Sequence, residues 1–354
     1  MYDVIIVGAG PIGCKLGELL GKENINTLIL EEHSEIGKPA HCTGLVSHRI
    51  PKLSGASSDV VVNKVKKARF YSFDKNFIEL KSRKNVYVID RVKFDEELSE
   101  LARDYAEIKT STRFESFKRK KGYTEVKTKK EILKSKILIG ADGPNSTVAF
   151  AAGIKLPENV LTGLQVRVKS KYVNDAVELW FSKEISPDFF GWIVPENKEW
   201  ARVGIATSGN VVKYFNNFLN HRFGKKIETK DKTAGRIRFG LIEDSVASNV
   251  LLVGDAAAQI KPFSGGGLVY GLIATGVAAE ACIKAFEKEK YNFNFLKENY
   301  DEMWKRKLSW PIKKGMFYNR TIHSFSDNQL SLLFSFLNKT RMKKLLEFTD
   351  MDLL

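Results

Sequence analysis

The first 32 residues constrain the fold more than any other stretch of the chain. A β-branched run, YDVIIV, leads into the glycine-rich GAG, and the segment PIGCKLGELLGKEN that follows has its apolar residues at helical spacing. A second apolar run, INTLILEE, completes a strand, helix and strand of about thirty residues, the length of a βαβ crossover. The sequence therefore predicts an α/β protein whose first sheet begins with parallel strands.

Three glycines separate this strand from the helix with the spacing G-x-G-x-x-G, at Gly8, Gly10 and Gly13. In this context the pattern indicates a dinucleotide-binding turn. Gly8 allows a tight turn, Gly10 admits a pyrophosphate close to the backbone, and Gly13 allows close helix packing. The helix N-terminus adds partial positive charge. Glu31, eighteen residues beyond Gly13, is placed to accept hydrogen bonds from a ribose, with Glu32 as the competing acid.

At 354 residues, the chain exceeds the usual size of a domain built around one hydrophobic core. We expect either two intimately joined lobes or one large α/β domain with an inserted sheet. Cys14, Cys42 and Cys282 are widely spaced and odd in number, which predicts a reducing cytosol rather than a disulfide framework. Because no CxxC pair or histidine-rich cluster occurs, no metal site is predicted.

Neither a signal peptide nor a bilayer-spanning segment is predicted, so we expect a cytoplasmic protein. The opening MYDVIIVGAG leaves no room for the basic and apolar regions of a signal peptide before the first strand. The longest apolar window, from Leu268, is interrupted by Glu280 and Lys284 and is not expected to span a bilayer. The net charge of +15 fits either peripheral attraction to the anionic inner face of a membrane or a solvated lysine-rich surface. No motif indicates nucleic acid.

The hydrophobic pattern switches between helical and alternating spacing along the chain and predicts three regions, two of them discontinuous. Alternating runs such as ARFYSF, GLQVRVK and ARVGIAT favour a second, largely antiparallel sheet. Between the two sheet regions, DRVKFDEELSELARDYA is typical of a helix with Asp90 as its N-cap. The predicted bounds are 1–60, 85–155 and 246–285 for a discontinuous dinucleotide-binding domain, 61–84 and 156–245 for an antiparallel-sheet substrate domain, and 286–354 for a helical C-terminal region.

Two later segments resemble the second and third FAD fingerprints of flavoproteins built like p-hydroxybenzoate hydroxylase. They are ILIGADGPNSTVA at 137–149 and NVLLVGDAAAQIKPFSGGGLVYG at 249–271. In that superfamily the aspartate of the GD pair, here Asp255, contacts the ribityl-phosphate region, and Arg91 in VIDRVKFDEEL matches a further cofactor-contacting arginine. The resemblance implies a Rossmann-like FAD-binding domain (GR2 type) with an inserted antiparallel-sheet substrate domain and a helical C-terminal tail.

Two further stretches are similar to the geranylgeranyl reductase family, which includes the digeranylgeranylglycerophospholipid reductases. PDFFGWIVP at 187–195 is similar to the motif P-x-x-Y-x-W-x-F-P, with Phe190 in place of tyrosine and Val194 in place of phenylalanine. GKPAHCTGLVS at 37–47 resembles that family's cysteine-glycine segment, which lies beside the isoalloxazine ring. In the family, the aromatic motif lines an apolar channel for a polyprenyl chain.

The resemblance implies an FAD-dependent reductase that saturates isolated double bonds of isoprenoid chains, in archaeal-type membrane lipids or in a quinone tail. NAD(P)H and a ferredoxin are the alternative electron donors. The residues predicted to contact the substrate are Phe190, Trp192 and Pro195. The residues predicted to contact FAD are Gly8, Gly10, Ile12, Gly13, Glu31, Cys42, Thr43, Gly44, Arg91, Asp255, Gly266, Gly267 and Leu268.

The implied reaction decides what a catalytic residue must do. An unconjugated alkene has no carbonyl to accept charge, so hydride addition at one carbon requires a proton at the other, in a dry apolar site with one acid. Cys42 and His41 are the predicted catalytic residues, and a water held by their loop is the alternative proton source. Cys42 lies on a Gly/Thr loop, unlike the other cysteines; its alternative role is that of a small packing residue, and His41 equally suits a loop cap.

Two other functions stay open from the sequence. The F-x-W-x-V-P stretch at 190–195 approaches the W-x-W-x-I-P of flavin-dependent halogenases, which share the fold with flavin monooxygenases, although Phe190 replaces the first tryptophan. A non-enzymatic prenyl-binding escort related to the GDP-dissociation-inhibitor fold shares the architecture but has lost flavin. The intact Glu31, Asp142 and Asp255 argue against the escort.

Overall fold

The computed structural model describes residues 1–40, 42–224 and 227–340 of the chain. The strands in this part are β1 (Tyr2–Val7), β2 (Thr27–Leu30), β3 (Leu45–Ser47), β4 (Val61–Tyr71), β5 (Phe77–Ile89), β6 (Glu107–Lys109), β7 (Phe114–Lys120), β8 (Tyr123–Thr128), β9 (Ile132–Gly140), β10 (Asn159–Lys169), β11 (Ala176–Ser182), β12 (Ser186–Pro195), β13 (Trp200–Thr207), β14 (Glu228–Phe239), β15 (Val246–Ala247) and β16 (Val250–Leu252).

In the described part of the chain, the first five helices lie between strands and the last four follow the final strand. They are α1 (Pro11–Lys22), α2 (Ile50–Ser54), α3 (Arg91–Arg103), α4 (Thr147–Ala152), α5 (Val211–Phe223), α6 (Leu268–Glu287), α7 (Phe293–Leu296), α8 (Glu302–Ser324) and α9 (Asp327–Lys339). Short 3₁₀ segments cover Ser58–Val60 and Gly254–Ala257, and a π-helical turn covers Lys297–Asp301.

The first sheet contains the predicted βαβ unit at its centre. Its main strand order is β15-β16-β9-β1-β2-β6, and the pairs from β16 to β6 are parallel. In the register of this sheet, Val7 pairs with Leu30 on one side and with Gly140 on the other. The carboxyl ends of three strands therefore meet at the glycine turn after β1, the edge at which α/β sheets bind ligands. The predicted α/β fold is confirmed.

Helix α3 begins where the sequence predicted. The Asp90 side chain accepts hydrogen bonds from the backbone N–H groups of Val92 (3.0 Å) and Lys93 (3.2 Å), so Asp90 is confirmed as the N-cap. Phe94 and Leu98 lie one turn apart on its buried face, in the core that α3 shares with α1. The cap fixes the direction in which Arg91, the first helical residue, leaves the backbone.

The second sheet has the order β14-β10-β13-β12-β11-β4-β5-β3. Its pairs are antiparallel except for β11 with β4. Helix α5 covers one face with Phe215 and Phe218. On the other face, an apolar cluster around Phe181 packs against Leu330 and Phe334 of α9. We call this second face the apolar face.

Sheet membership divides the chain differently from the predicted domain bounds at two places. Strand β3, within the predicted residues 1–60, pairs with β5 in the second sheet, and β5 continues to Ile89, past the predicted bound at 85. The predicted bounds missed this because an alternating pattern shows that a strand exists but not which sheet it joins. The assignment of the chain to domains stays a prediction.

The C-terminal region consists of α7, α8 and α9 as far as residue 340, and residues 341–354 of the predicted helical region lie outside the described residues. Leu296 and Tyr300 are fully buried in the first core. Helix α6 has the length and apolar composition of a membrane span, but 67% of the qualifying window is buried inside the protein. Core packing therefore accounts for its apolar character.

Candidate active site

The three glycines of the turn between β1 and α1 differ in the space around them: a side chain would clash at two of them and would fit at the third. Gly8 has a φ of +102°, and a Cβ there would lie 2.5 Å from the carbonyl oxygen of Ala141. A Cβ at Gly13 would overlap the carbonyl oxygen of Gly8, since α1 packs closely on the turn. A Cβ at Gly10 would meet no atom within 4 Å. Gly10 therefore faces a space in which a phosphate group can approach the backbone.

Two helix N-termini can supply partial positive charge to this region. No side chain among the described residues caps α1 after Gly10 or α6 after Gly267. The first N–H groups of a helix have no intrahelical acceptor, and together with the helix dipole they attract negative charge. A Cβ at Gly267 would overlap the carboxylate of Asp255, so the backbone passes directly beside that side chain. The neighbouring Gly266 and Leu268 lie in the same turn into α6.

Glu31 is fixed beside the glycine turn. Its Oε2 accepts a hydrogen bond from the backbone N–H of Ala9 at 2.9 Å. Its Oε1 accepts from the backbone N–H of His33 at 3.0 Å and lies 2.7 Å from His33 Nδ1. The competing acid, Glu32, instead lies 3.4 Å from Arg113 Nε with its side chain 52% exposed. The geometry therefore favours Glu31 over Glu32 as the acceptor for ribose hydroxyl groups.

The loop that carries Cys42 is held in place from the second sheet. Cys42 Sγ accepts a hydrogen bond from the backbone N–H of Gly44 at 3.4 Å. Arg202 Nη1 donates to the carbonyl oxygens of Thr43 at 2.6 Å and Ile89 at 2.8 Å. Gly44 has a φ of +70°, and a Cβ there would lie 2.5 Å from Arg202 Nη1. Glycine is therefore required at position 44 both for its conformation and for the approach of the arginine. His41 lies outside the described residues.

Arg91 brings Cys42 and Asp255 into one electrostatic cluster. Its guanidinium makes a two-bond ion pair with Asp95, with Nε to Oδ1 at 3.0 Å and Nη2 to Oδ2 at 2.9 Å. Burial lowers the pKa of Arg91, but the interactions with Asp95 and Cys42 outweigh it and the pKa is raised. Burial raises the pKa of Asp255, and the charge of Arg91 opposes that rise. Arg91 therefore stays charged and interacts with both predicted site residues.

Gln165 joins the cysteine loop to the second sheet. Its Oε1 accepts hydrogen bonds from Thr43 Oγ1 at 2.8 Å and from Trp192 Nε1 at 3.0 Å. Both Gln165 and Trp192 pair with Gly204 across neighbouring strands, and a Cβ at Gly204 would lie 2.5 Å from Trp192 Cε2. The missing side chain at Gly204 thus makes room for the indole ring. One amide oxygen fixes the loop and the ring together.

The sequence did not predict Gln165 or Arg202 as site residues. Each is a polar residue within an apolar strand run, GLQVRVK and ARVGIAT respectively, and this was the available signal. The face of the sheet to which each side chain points could not be predicted without the register of the second sheet. The network shows that the polar position in each run points towards the cysteine loop.

Two of the three predicted substrate residues lie together on the apolar face. The rings of Phe190 and Trp192 have centroids 6.3 Å apart at an interplanar angle of 77°. Phe190 is buried and stacks on Phe189 with centroids 4.1 Å apart, whereas Trp192 is partly exposed. Trp192 therefore lies where the apolar face meets the polar loop.

Pro195 is not brought together with these two rings. It lies an odd number of residues from both, and β12 pairs with β13 in continuous register from Gly191 to Pro195, so Pro195 is on the opposite face. Its carbonyl oxygen accepts a hydrogen bond from Asn63 Nδ2 at 2.8 Å. The motif contains residues on both faces of the strand, so the resemblance alone could not predict which of them lie together.

The end of α8 covers part of the apolar face. His323 lies with its ring centroid 5.9 Å from that of Phe181, and Lys183 Nζ donates to the His323 carbonyl oxygen. Burial lowers the pKa of His323, the charge of Lys183 lowers it further and Asp188 opposes the change, which leaves the pKa at about 4. His323 is therefore neutral near pH 7 and belongs to the apolar surroundings.

The comparisons with known proteins identify the class of protein. Residues 1–273 match the family model described as FAD binding domain. The fold and this match define a flavoprotein, an oxidoreductase whose cofactor is FAD.

Two relatives narrow the class. The chain is 30% identical over 371 residues to digeranylgeranylglycerophospholipid reductase 3 of Methanosphaera stadtmanae, a match that covers 97% of this chain and 92% of that protein. It is 26% identical, with a TM-score of 0.89, to the crystal structure of a geranylgeranyl bacteriochlorophyll reductase-like protein from Thermoplasma acidophilum, covering 99% of this chain and 94% of that one. The chain belongs to the geranylgeranyl reductase family.

The fold is also found in a flavin-dependent enzyme of another reaction class. A halogenase in complex with FAD matches with a TM-score of 0.73 at 14% identity, over 98% of this chain and 85% of that one. Such a low identity shows the fold alone. Membership of the reductase family makes the chain an FAD-dependent oxidoreductase and sets aside the alternative of a non-enzymatic escort.

We expect Gly10→Val to weaken FAD binding without unfolding the protein. The side chain would enter the open space at the turn, where it would block several charge-assisted hydrogen bonds from the backbone. FAD affinity, measured by fluorescence titration of the apoprotein, should fall by about 100-fold or more. Gly276→Ala, also at a position with no atom within 4 Å of its Cβ, is the control and should bind FAD normally. Normal affinity in Gly10→Val would place the pyrophosphate elsewhere.

We expect His323→Gln to reduce the loss of stability in mild acid. The unfolded chain takes up a proton at the ordinary histidine pKa of 6.5, but the folded chain does so only at about 4, so acid favours unfolding between these values. From about pH 6.5 to about pH 5, the free energy of unfolding should fall by about 1–2 kcal/mol less in the variant. Urea unfolding at a series of pH values measures this difference. His221, whose pKa burial also lowers, acts in the same direction, so the double variant should lose still less. Parallel curves for wild type and variant would contradict the assignment.

Proposed function

We propose that this enzyme saturates isolated double bonds in isoprenoid chains, with the geranylgeranyl chains of membrane lipids as its main substrate and a prenylquinone tail as the alternative. One observation carries the proposal. The amide oxygen of Gln165 holds both Thr43, next to Cys42, and Trp192, on the apolar face. A polar loop and an aromatic apolar face therefore meet at one point, as reduction of an unpolarised alkene requires.

The residues of the first sheet fit FAD. Gly10 leaves open space at an uncapped helix N-terminus, which suits an anionic pyrophosphate. Glu31 is held beside that turn with carboxylate oxygens for ribose hydroxyl groups. Asp255 and the uncapped start of α6 at Gly267 lie together, where they can hold the ribityl chain and the electron-rich edge of the ring system. In its reduced form, FAD supplies a hydride to one carbon of the double bond.

The apolar face provides the environment for the isoprenoid chain. Phe190 and Trp192 supply ring surfaces, and the missing side chain at Gly204 makes room for the indole itself. Leu330 and Phe334 of α9 cover the same cluster and exclude water from it. Such a site orients a flexible hydrocarbon chain by shape and keeps the proton supply confined to the loop.

Cys42 is proposed to supply the proton for the second carbon. The π electron pair of the alkene forms the new C–H bond to the proton, the other alkene carbon becomes electron-poor, and the hydride completes that carbon. The two transfers must therefore occur at adjacent positions. Cys42 Sγ is oriented by the Gly44 N–H, and the charged Arg91 next to it can stabilise the thiolate that remains after proton transfer. His41 on the same loop is the proposed alternative donor, as is a water held there.

The relatives support a lipid substrate for this enzyme, and its electron donor is a separate question. A digeranylgeranylglycerophospholipid reductase at 30% identity supports geranylgeranyl chains of phospholipids for this enzyme. We propose that it works in the cytoplasm at the membrane surface, because such a substrate is embedded in a bilayer. NAD(P)H and a ferredoxin are the two proposed electron donors.

Anaerobic reduction of a defined lipid tests the proposed function. The FAD-loaded protein, reduced with dithionite, is incubated with a geranylgeranyl phospholipid or a prenylquinone, and mass spectrometry follows the gain of two hydrogen atoms per double bond. Replacing dithionite by NADPH, NADH or reduced ferredoxin identifies the donor. A lipid that is already saturated is the control. Unchanged masses for both substrates, or substrate hydroxylation or halogenation with oxygen uptake, would overturn the proposal.

We expect Cys42→Ala to bind FAD normally and to lose alkene reduction. Loss of a general acid typically costs at least about 100-fold in rate, and the single-turnover rate with dithionite-reduced protein should fall by that factor. Cys42→Ser should recover part of the rate, since its hydroxyl can hold the proton. Cys282→Ala, at a fully buried cysteine in α6, is the matched control and should keep the wild-type rate. Full activity in Cys42→Ala would make Cys42 a packing residue.

A further inference from the structure

Helix α8 carries a row of exposed residues in which basic and aromatic side chains alternate. The row, which we call the basic-aromatic stripe, consists of Arg306, Trp310, Lys313, Phe317 and Arg320. Successive members are four or three residues apart, which places them on one face of the helix. Trp310 is 73% exposed and Phe317 is 64% exposed. Two large rings on one outward face require an explanation, because exposed aromatic residues usually mark an interaction surface.

The charges of the stripe have almost no partners within the protein. Among the described residues, Lys313 and Arg320 make no ion pair, and Arg306 lies 3.7 Å from Glu302 at the beginning of the helix. Lys307 next to the stripe also makes no ion pair in the described part of the chain. The stripe from 306 to 320 contains no acidic residue. Its positive charge is therefore available to an external partner.

The opposite face of α8 is firmly packed. Trp304, Leu308 and Ile312 are buried in the first core. Gly315 lies against Pro262, and a Cβ there would be 3.0 Å from Pro262 Cδ. Because the inner face is fixed to the loop that precedes α6, the outward direction of the stripe is fixed as well.

We propose that the basic-aromatic stripe docks the enzyme on the surface of a bilayer that contains anionic lipids. Aromatic rings insert at the boundary between headgroups and acyl chains, and neighbouring lysine and arginine side chains bind the lipid phosphates. The alternation of the two residue types, the absence of acid and the net charge of +15 match that surface. The inference rests on the proposed function in one respect, that the substrate is a membrane lipid.

Docking through α8 would bring the substrate face towards the lipid. The helix continues from the stripe to His323, which lies on the apolar face beside Phe181. Phe325, in the connection from α8 to α9, packs against the same cluster, and Leu330 and Phe334 of α9 are buried in it. An isoprenoid chain that leaves the bilayer near the stripe therefore has a short path to the aromatic pair on β12.

Vesicle binding tests the proposal without turnover. The FAD-loaded protein is mixed with vesicles of phosphatidylglycerol and phosphatidylcholine in equal amounts, or of phosphatidylcholine alone, and the bound fraction is measured by flotation. A charge variant should bind the anionic vesicles about 100-fold more weakly, since each basic side chain contributes about a factor of five. An aromatic variant should bind about tenfold more weakly. The charge variant combines Lys313→Gln and Arg320→Gln in the stripe with Lys307→Gln next to it. The aromatic variant combines Trp310→Ser and Phe317→Ser.

Matched variants separate a specific surface from general charge. The charge control removes three lysines from the exposed hairpin region, and the aromatic control removes two exposed apolar side chains, one from β9 and one from α4. Both controls match the test variants in number. They are Lys118→Gln with Lys121→Gln and Lys129→Gln, and Phe150→Ser with Ile132→Ser. Equal losses in test and control variants would overturn the proposal, as would wild-type protein that binds neither vesicle.

Two further measurements test whether Trp310 inserts into the bilayer and whether the stripe instead binds a second copy of the chain. With brominated phospholipids, tryptophan emission should be quenched on binding in wild type but much less in Trp310→Phe, which places Trp310 in the interface. Sedimentation of the free protein reports whether the stripe joins two copies of the chain, and a wild-type dimer that the aromatic variant dissociates would overturn the proposal. The test variants should reduce a detergent-dissolved prenyl substrate at the wild-type rate. Lost vesicle binding with retained reduction therefore separates this proposal from the proposed function.

Discussion

The candidate active site depends on one mostly buried charge, the guanidinium of Arg91. Burying such a group is unfavourable by several kcal/mol unless it is paired, and the two-bond contact with Asp95 provides the pairing within a single helix turn. The capped start of α3 fixes the direction of the side chain. Because Arg91 interacts with Cys42 on one side and Asp255 on the other, its position sets the electrostatic environment of two loops that are remote in sequence.

The second organising contact joins the cysteine loop to the second sheet. Arg202 and Gln165 extend from neighbouring strands of the second sheet and bind the backbone and hydroxyl of Thr43. Neither contact would survive a shift of one residue in the strand register, since both side chains would then point to the face covered by α5. The geometry of the cysteine loop is therefore specified by strand pairing in another part of the chain. This explains why the loop sequence alone does not reveal its surroundings.

Local features of the fold were predictable and the cross-strand features were not. The glycine turn, the parallel start of the first sheet and the Asp90 cap depend on residues within about thirty positions of one another, and their signals are short-range. The position of Pro195, the sheet assignments of β3 and β5, and the roles of Gln165 and Arg202 all depend on register. The family resemblance led to FAD and to the reductase class, which the comparisons bear out, but it grouped Pro195 with two rings that lie on the other face.

The dispersed origin of the cofactor-facing residues has a consequence for synthesis of the protein. The glycine turn lies at residues 8–13, whereas Asp255 and the start of α6 follow more than two hundred positions later, and α6 packs directly on α1. If FAD lies between them as proposed, an emerging polypeptide cannot retain the cofactor until most of it has left the ribosome. The early βαβ unit must then persist with an incomplete parallel sheet, exposing apolar surface on which chaperones can act. Under this proposal, FAD binding would come late in synthesis, and a product truncated before Asp255 would lack part of the cofactor site.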